Sequence, residues 1–291
     1  MAAETASAAA RHGLSHQEVW IGRTGLSFGV ERVLFQERSP YQEVAVLQTD
    51  AFGRLLTLDG VVMLTEHDEF VYHEMIAHPA LAARGDAKRV LIIGGGDGGT
   101  AREVLRHGSV ETLDLVEIDG LVVEAAKRFF PHLSSSFADP RLKLHLADGV
   151  AFVRDAPPET YDLIIVDSTD PIGIAEGLFT RDFYTDCVAA LHHRGLLVVQ
   201  SESPFDPTQA HVVREVRRLF EALLPCARTY LACIPTYPLG LWSFTVGAKT
   251  PMTLEEPAAA PPFAHELRYY TPAVHRAAFA LPAFVTHLLE S

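Results

Sequence analysis

The chain has 291 residues, of which 48% are hydrophobic, so it can build one large domain and a smaller one around a core of normal size. Its formal net charge of −13 argues against nucleic acid or an anionic membrane as a partner, and it is compatible with a cationic substrate. The 3 cysteines include no Cys-x-x-Cys pair, which indicates a reducing compartment with neither a disulfide framework nor a zinc site.

The N-terminal part of the chain changes character near residue 21. Residues 1–20 lack the basic and leucine-rich regions of a signal peptide, and we expect a disordered tail there. No apolar run approaches the roughly 20 residues of a membrane span, so the expected location is cytoplasmic. In residues 21–66, short strand-like runs alternate with glycine-containing turns such as Asp59-Gly60. This pattern predicts a small N-terminal antiparallel β domain.

The remainder, residues 67–291, is typical of an α/β domain. A helical segment begins at Glu69 and is expected to stop near Pro79. Strands and helices then alternate, which predicts a mostly parallel sheet with helices on both faces. The predicted parallel strands are 90–93, 112–116, 142–146, 161–166 and 196–200. Segments 228–234 and 242–246 are expected to add an antiparallel hairpin, and the C-terminal tail is expected to pack back on the domain.

The glycine-rich loop Gly94-Gly-Gly-Asp-Gly-Gly99 follows the first of these strands and precedes a helical segment. Such a strand, loop and helix bind nucleotides, with backbone N–H groups facing the ligand. Asp97 lies inside the loop, where a carboxylate would repel the pyrophosphate of a dinucleotide. The loop therefore favours a sulfonium or ammonium ligand over NAD.

Carboxylates also follow the next predicted strands, and strand ends of a parallel sheet meet at one edge, where ligands bind. These acids are Glu117, Asp148, Asp167 and Asp170. Each one alone is also typical of a turn or a helix N-cap. Glu117 is placed to accept hydrogen bonds from a ribose diol, and Asp148 with Gly149 fits an adenine edge. Asp97, Asp167 and Asp170 exceed what a nucleoside needs, and they suit cationic amines.

A series of motifs extends this pattern along the chain. They are Tyr41-Gln-Glu, Asp59-Gly60, Asp68-Glu-Phe-Val-Tyr-His-Glu-Met-Ile76, the glycine loop, Val116-Glu-Ile-Asp119, Asp148-Gly149, Asp167-Ser-Thr-Asp-Pro171 and Pro235-Thr-Tyr-Pro238. Together they resemble the successive motifs of the spermidine synthase family of polyamine aminopropyltransferases, over nearly the whole chain. The resemblance implies a Rossmann-like fold of the AdoMet-methyltransferase type behind the N-terminal β domain.

The resemblance also implies a reaction and a set of partners. An aminopropyl group would pass from decarboxylated S-adenosylmethionine to putrescine, giving spermidine and 5'-methylthioadenosine. No cofactor and no metal are expected, and the family expectation is a homodimer or homotetramer that binds neither nucleic acid nor a membrane. The residues that the resemblance places on the nucleoside are Gln42, Gly94, Gly96, Asp97, Glu117, Asp148, Gly149 and Ile174. Those that it places along the amine channel are Tyr72, His73, Asp97, Asp167, Asp170 and Tyr237, with Asp167 as the proton acceptor.

Three positions differ from or vary within the family pattern. Ile174 stands where many members have proline, in the loop 173–179 that would cover the site. Leu239 stands where a small residue usually follows Tyr-Pro, which could change the pocket for the distal amine. His73 occupies a position that is histidine in some members and glutamine in others.

Several other functions remain as alternatives. The acceptor could be cadaverine, agmatine or a triamine. A methyltransferase would share the glycine loop and Glu117, but its AdoMet carboxylate would be repelled by Asp97, Asp167 and Asp170. A catalytically silent relative should have lost an acid or a tyrosine from the amine channel, which this chain has not. An NAD oxidoreductase is disfavoured by Asp97.

Overall fold

The computed structural model describes residues 14–170 and 173–291, in which a five-stranded sheet precedes a seven-stranded one. The first sheet is antiparallel, with its strands in the order β1-β2-β3-β4-β5. Their bounds are Leu14–Ile21 (β1), Thr24–Arg38 (β2), Glu43–Thr49 (β3), Arg54–Leu58 (β4) and Val61–Thr65 (β5). Asp59 and Gly60 both have positive φ (48° and 85°), as a two-residue hairpin turn between β4 and β5 requires. The predicted N-terminal antiparallel sheet is confirmed.

The strand β1 lies within the segment for which the sequence predicts a disordered tail. Leu14–Ile21 pairs antiparallel with β2. The buried carboxylate of Glu18 also accepts the backbone N–H of Val62 at 2.7 Å. The expectation of a tail over residues 1–20 is therefore wrong from Leu14 onward, because pairing with the following strand β2 and the contact of Glu18 with Val62, rather than local hydrophobicity, order this strand. Residues 1–13 lie outside the described part of the chain.

The helix that follows the first sheet is longer than predicted. The helix α1 spans Glu69–Arg84 and passes through Pro79, where the prediction ends it. Pro79 has no N–H to donate to the carbonyl of Met75, but the buried hydroxyl of Tyr230 donates to that carbonyl at 2.8 Å. The prediction was wrong because a side chain distant in sequence supplies the missing hydrogen bond.

The second sheet has the strand order β11-β12-β10-β9-β6-β7-β8. The bounds are Arg89–Gly94 (β6), Thr112–Glu117 (β7), Leu142–Leu146 (β8), Tyr161–Asp167 (β9), Leu191–Gln200 (β10), Cys226–Cys233 (β11) and Leu241–Ala248 (β12). The strands β8, β7, β6, β9 and β10 are parallel, and β12 and β11 continue the sheet as an antiparallel pair. The predicted mostly parallel sheet is confirmed. The strand β10 begins earlier than predicted, since Leu191 already pairs with Tyr161 ahead of a register shift.

Helices cover both faces of this sheet. After α1 they are Gly99–Leu105 (α2), Gly120–Phe129 (α3), Pro131–Ser134 (α4), Gly149–Arg154 (α5), Arg181–Ala190 (α6), Ala210–Leu223 (α7), Pro272–Ala278 (α8) and Ala283–Glu290 (α9). Alternate residues of β6 enter different cores: Ile92 packs in the core that contains Met75 of α1, and Ile93 in the core that contains Phe183 of α6. Within the described ranges, no helix has the length and apolar character needed to cross a membrane.

Two features of this arrangement position the candidate site. The strand order reverses at β6, which has β7 on one side and β9 on the other, and ligands bind at the carboxyl ends of strands beside such a reversal. The C-terminal tail is held to the back of α1, where the carboxylate of Glu74 accepts the backbone N–H groups of Arg268, Tyr269 and Tyr270.

Candidate active site

A cavity lies between the first sheet and the carboxyl ends of β6, β7 and β9. Most of the residues predicted for the site line it. They are Gln42, Tyr72, His73, Gly94, Gly96, Asp97, Glu117, Asp148, Gly149, Asp167 and Tyr237. Asp170 lines a smaller neighbouring cavity. The side chain of Ile174 lies outside what the structure describes, so its predicted contact stays a prediction.

Glu117 faces the glycine loop at the end of β7. Its carboxylate accepts the backbone N–H of Gly96 at 3.1 Å and that of Asp119 at 2.9 Å. Burial raises the pKa of Glu117 to about 7, against the effect of these two donors. A Cβ atom at Gly96 would lie 2.7 Å from the Glu117 carboxylate, so a larger residue there would push the acid out of place. Loop and acid thus form one rigid unit.

Gln42 brings the first sheet into contact with this unit. Its side-chain amide donates to Asp119 at 3.0 Å, and the hydroxyl of Ser39 donates to the same carboxylate oxygen at 2.7 Å. Asp119 also accepts the N–H of Leu121 and so caps α3. Sequence reasoning did not assign Asp119, because a carboxylate before a helix is typical of an N-cap.

Asp148 and Gly149 lie at the start of α5. The Asp148 carboxylate accepts the backbone N–H of Val150 at 2.9 Å, as an N-cap does. A Cβ at Gly149 would come within 2.4 Å of the Ile93 side chain, so the close packing of α5 against β6 needs a glycine. The carboxylate is thereby fixed at the cavity wall, next to the face that Glu117 lines.

Asp97, in the glycine loop, contacts His73 of α1. The Nε2 atom of His73 is 3.3 Å from Oδ1 of Asp97, and Oδ1 also accepts the backbone N–H of Gly99 at 2.7 Å. Burial alone would raise the pKa of Asp97, but the positive charge of His73 outweighs it and lowers the pKa. Asp97 is therefore held as a carboxylate at the cavity wall.

Asp167 lies at the end of β9 with both carboxylate oxygens hydrogen-bonded. The hydroxyl of Tyr72 donates to Oδ1 and that of Thr100 donates to Oδ2, each at 2.6 Å. Burial and then the negative charge of Asp97 raise the pKa of Asp167. Two neighbouring acids thus have pKa values that are shifted in opposite directions, which is a common feature of catalytic sites. Thr100 was not predicted, since nothing in its local sequence separates it from an ordinary helix residue.

Two acids at or near the smaller cavity were missed by sequence reasoning. Glu18 of β1 lines the cavity together with Asp170, and Glu202, just after β10, lies close enough to Asp170 for the two charges to interact. Burial raises the pKa of Glu18, Asp170 and Glu202, and the charge of Asp170 adds to the effect on Glu202. Glu202 is an acid at the end of a strand, so it could have been predicted like the other acids. Glu18 could not have been predicted, because it reaches the smaller cavity only through the pairing of β1.

Tyr237 separates the two cavities, and it lines both. Its ring packs on Tyr72 with centroids 5.6 Å apart and on Trp242 with centroids 4.8 Å apart. Its hydroxyl donates to the carbonyl of Met63 at 2.7 Å. Leu239 has a positive φ of 58° and a 38% exposed side chain, and it is not among the residues that line the smaller cavity.

Comparisons with known proteins agree over both sheets. A family model described as spermine/spermidine synthase domain matches residues 69–256, and one described as spermidine synthase tetramerisation domain matches residues 16–66. The polyamine aminopropyltransferase of Desulforudis audaxviator is 48% identical over 263 residues, covering 89% of this chain and 93% of that protein. Spermidine synthase 1 of Hyoscyamus niger is 42% identical over 285 residues, covering 94% and 89%.

Two solved structures extend the similarity to three dimensions. The spermidine synthase from Thermotoga maritima is 40% identical and superposes with a TM-score of 0.90, covering 96% of this chain and 95% of its own. A spermidine synthase in complex with the transition state analogue AdoDATO is also 40% identical, with a TM-score of 0.91 and 96% of both chains covered.

Proposed function

This chain belongs to the spermine/spermidine synthase family of polyamine aminopropyltransferases, and we propose that it transfers the aminopropyl group of decarboxylated S-adenosylmethionine to putrescine. The products would be spermidine and 5'-methylthioadenosine. The observation that carries this proposal is the row of acids Asp97, Asp167 and Asp170, which continues from the larger cavity into the smaller one.

The nucleoside would lie along the glycine loop. Glu117 would accept the two ribose hydroxyls, and Asp148 with Gly149 would meet the adenine edge. Gln42, Gly94 and Gly96 would complete this half of the site. The ammonium group of the donor would then face Asp97, which is held ionised beside His73. AdoMet carries a further carboxylate that Asp97 and Asp167 would repel, and this favours the decarboxylated donor over a methyltransferase reaction.

The acceptor would enter from the smaller cavity, and its reacting amine would lie beside Asp167. An ammonium group has a pKa near 10 and is mostly protonated at neutral pH, so it must lose a proton before it can attack. Asp167 would take that proton. The nitrogen lone pair would then form a bond to the carbon next to the sulfonium, while the carbon–sulfur bond breaks and its electron pair stays on sulfur. The products are a secondary ammonium, which carries the positive charge that sulfur loses, and a neutral thioether.

The distal ammonium of a diamine would lie among Glu18, Asp170 and Glu202, beside the ring of Tyr237. Aromatic faces and carboxylates both attract cations. This second anionic group explains why a diamine, rather than a monoamine, would be the acceptor. The match of residues 16–66 to a tetramerisation domain supports a homotetramer as the assembly.

A product assay tests the proposal. The purified protein is incubated with decarboxylated S-adenosylmethionine and, separately, with putrescine, cadaverine, agmatine or spermidine, and the products are identified by mass spectrometry. Spermidine and 5'-methylthioadenosine from putrescine are expected to dominate. A larger kcat/KM with another amine would overturn the choice of acceptor. Methylated products formed from AdoMet would overturn the reaction itself.

Calorimetry tests the donor separately. We expect decarboxylated S-adenosylmethionine to bind at least about tenfold more tightly than AdoMet, since each charge repulsion in a partly buried site is worth a kcal/mol or more. In Asp97→Asn this preference should shrink. Equal or tighter binding of AdoMet by the unmodified protein would contradict the assignment of Asp97 to the donor's ammonium.

A further inference from the structure

Arg102, Glu69, His73 and Asp97 form a row of alternating charge that leads from α2 to the wall of the larger cavity. Arg102 donates to both carboxylate oxygens of Glu69, at 3.1 Å and 3.0 Å. Glu69 accepts from Nδ1 of His73 at 2.6 Å, and Nε2 of His73 reaches Asp97 at 3.3 Å. The side chains of Glu69 and His73 are only 4% and 3% exposed, so water competes little with these contacts.

The surroundings of His73 favour a charged ring. Its Nδ1 atom is hydrogen-bonded to Glu69 at 2.6 Å, and its Nε2 atom lies within ion-pair distance of Asp97 at 3.3 Å. Ionised carboxylates only accept hydrogen bonds, so the imidazolium form, with hydrogen on both nitrogens, suits both neighbours. Burial favours the neutral ring, but the charges and hydrogen bonds of Asp97 and Glu69 outweigh it and raise the pKa of His73 to about 10.

The ring of His73 is also fixed in position. A Cβ atom at Gly99 would lie 2.3 to 2.5 Å from three atoms of the imidazole, so the ring packs directly on the backbone of the glycine loop. Tyr72 packs on the ring edge-on, with centroids 5.6 Å apart. The ring therefore has little freedom to leave either carboxylate.

These contacts determine how Asp97 is presented to a ligand. The Nε2 atom of His73 and the N–H of Gly99 both lie at Oδ1. Within the described residues, no hydrogen-bond donor is found at Oδ2. The cation beside Oδ1 also offsets the repulsion between Asp97 and Asp167, which would otherwise favour protonation of one of them.

We propose that Glu69 and Arg102 are positioning residues that hold His73 as an imidazolium, so that Asp97 stays ionised and oriented beside Asp167 for the donor's ammonium group. The identity of the ligand as the donor's ammonium group rests on the proposed function. The charge state of His73 does not, because it follows from contacts within the protein.

The charged and titratable groups around His73 all influence its pKa. On α1 these are Glu69 and Tyr72, on the glycine loop Asp97, and on α2 Arg102, which acts through Glu69. On β9 the group is Asp167, and on α4 it is His132, whose Nε2 lies 3.9 Å from Glu69. Among the residues that the structure describes, only Glu69 and Asp97 contact a ring nitrogen of His73, so removing the charge of Glu69 should affect His73 strongly.

Nitrogen NMR on histidine-labelled protein tests the charge state directly. The resonances of His73 are identified by their loss in His73→Gln. In the unmodified protein, both ring nitrogens should keep imidazolium shifts at pH 9. In Glu69→Gln the ring should titrate about 1 to 3 pH units lower, because one buried carboxylate has lost its charge. A neutral ring at pH 8 in the unmodified protein would overturn the proposal without any reference to activity.

Glu103 provides a matched control. It lies on α2 with a side chain 3% exposed and accepts from Arg102 at 2.6 Å and from His78 at 3.1 Å, but it does not contact His73. Glu103→Gln removes an equally buried charge from the same arginine. We expect it to lower the melting temperature without moving the His73 titration. Equal shifts in Glu69→Gln and Glu103→Gln would show a merely structural role and overturn the proposal.

The rate profile gives the functional consequence. In Glu69→Gln, kcat/KM for the donor should fall about tenfold between pH 7 and pH 9 as His73 loses its proton, whereas the unmodified protein should show no such fall. The double variant with Glu69→Gln and His73→Gln contains no titrating ring, so the fall should disappear. A fall that persists in the double variant would assign it to another group and contradict the role given to His73.

Discussion

The carboxylates in the two proposed halves of the cavity, one for the nucleoside and one for the amine, are held by different kinds of hydrogen-bond donor. In the nucleoside half, Glu117 and Asp148 accept backbone N–H groups, which hold them in place before any ligand binds. In the amine half, Asp167 is bonded to side-chain hydroxyls, and its pKa is raised by burial and by Asp97. The proposed nucleoside half is thus held by backbone donors, whereas the proposed amine half contains two neighbouring acids whose pKa values are shifted in opposite directions.

The largest effect is expected from a change that affects the amine half alone. Asp167→Asn keeps the size of the side chain but cannot take a proton, so kcat should fall by about 100-fold or more. Binding of 5'-methylthioadenosine, measured by calorimetry, should stay within about twofold, because the nucleoside half is untouched. Turnover near that of the unmodified protein at neutral pH would assign the proton acceptor to another group.

Next in size should be the effect of Asp170→Asn in the smaller cavity. Removing one carboxylate near the amine should raise KM for putrescine by about tenfold, with a smaller change in kcat. The value of kcat should rise with pH as the bound ammonium loses its proton, and because carboxylates raise the pKa of that ammonium, this rise should move to lower pH in Asp170→Asn. An unchanged KM together with an unmoved pH profile would separate Asp170 from the amine.

The nucleoside half should show a pH dependence of its own. The pKa of Glu117 is raised to about 7, so the fraction of carboxylate able to accept two ribose hydroxyls falls as the pH falls through 7. Affinity for 5'-methylthioadenosine, which has no amine, should therefore weaken by several-fold to about tenfold between pH 8 and pH 6. In Glu117→Gln the affinity should be lower and independent of pH over this range. The same slope in both proteins would place the titrating group elsewhere.

The smallest effect tests the hydrogen bond from Thr100 to Asp167. Its hydroxyl donates to the carboxylate of Asp167, so Thr100→Val should raise the pKa of Asp167 further and shift the acid side of the kcat profile upward by less than about one pH unit. At neutral pH the rate should fall only a few-fold. Thr100→Ser, which keeps the hydroxyl, should follow the unmodified protein; a serine variant that matches the valine variant would contradict this role.

Much of the site could be predicted because the carboxyl ends of neighbouring parallel strands lie at the same edge of a sheet. An acid or a glycine loop at the end of a strand can therefore be placed at that edge of the sheet without any knowledge of contacts between distant residues. This principle brought Asp97, Glu117, Asp148 and Asp167 together, and the structure places all of them around one cavity. Applied to the next strand, β10, the same principle would also have predicted Glu202.

Tertiary structure alone decided the rest. Glu18 enters the smaller cavity because β1 pairs with β2, and the helix α1 continues through Pro79 because Tyr230 supplies a hydrogen bond. The charge of His73 depends on Glu69 and Asp97 lying on opposite sides of its ring. The sequence by itself determined which chemical groups reach the strand ends, since strand direction and loop composition are local properties. It could not determine their charge states, because burial and the neighbours across a cavity arise only when distant segments pack together.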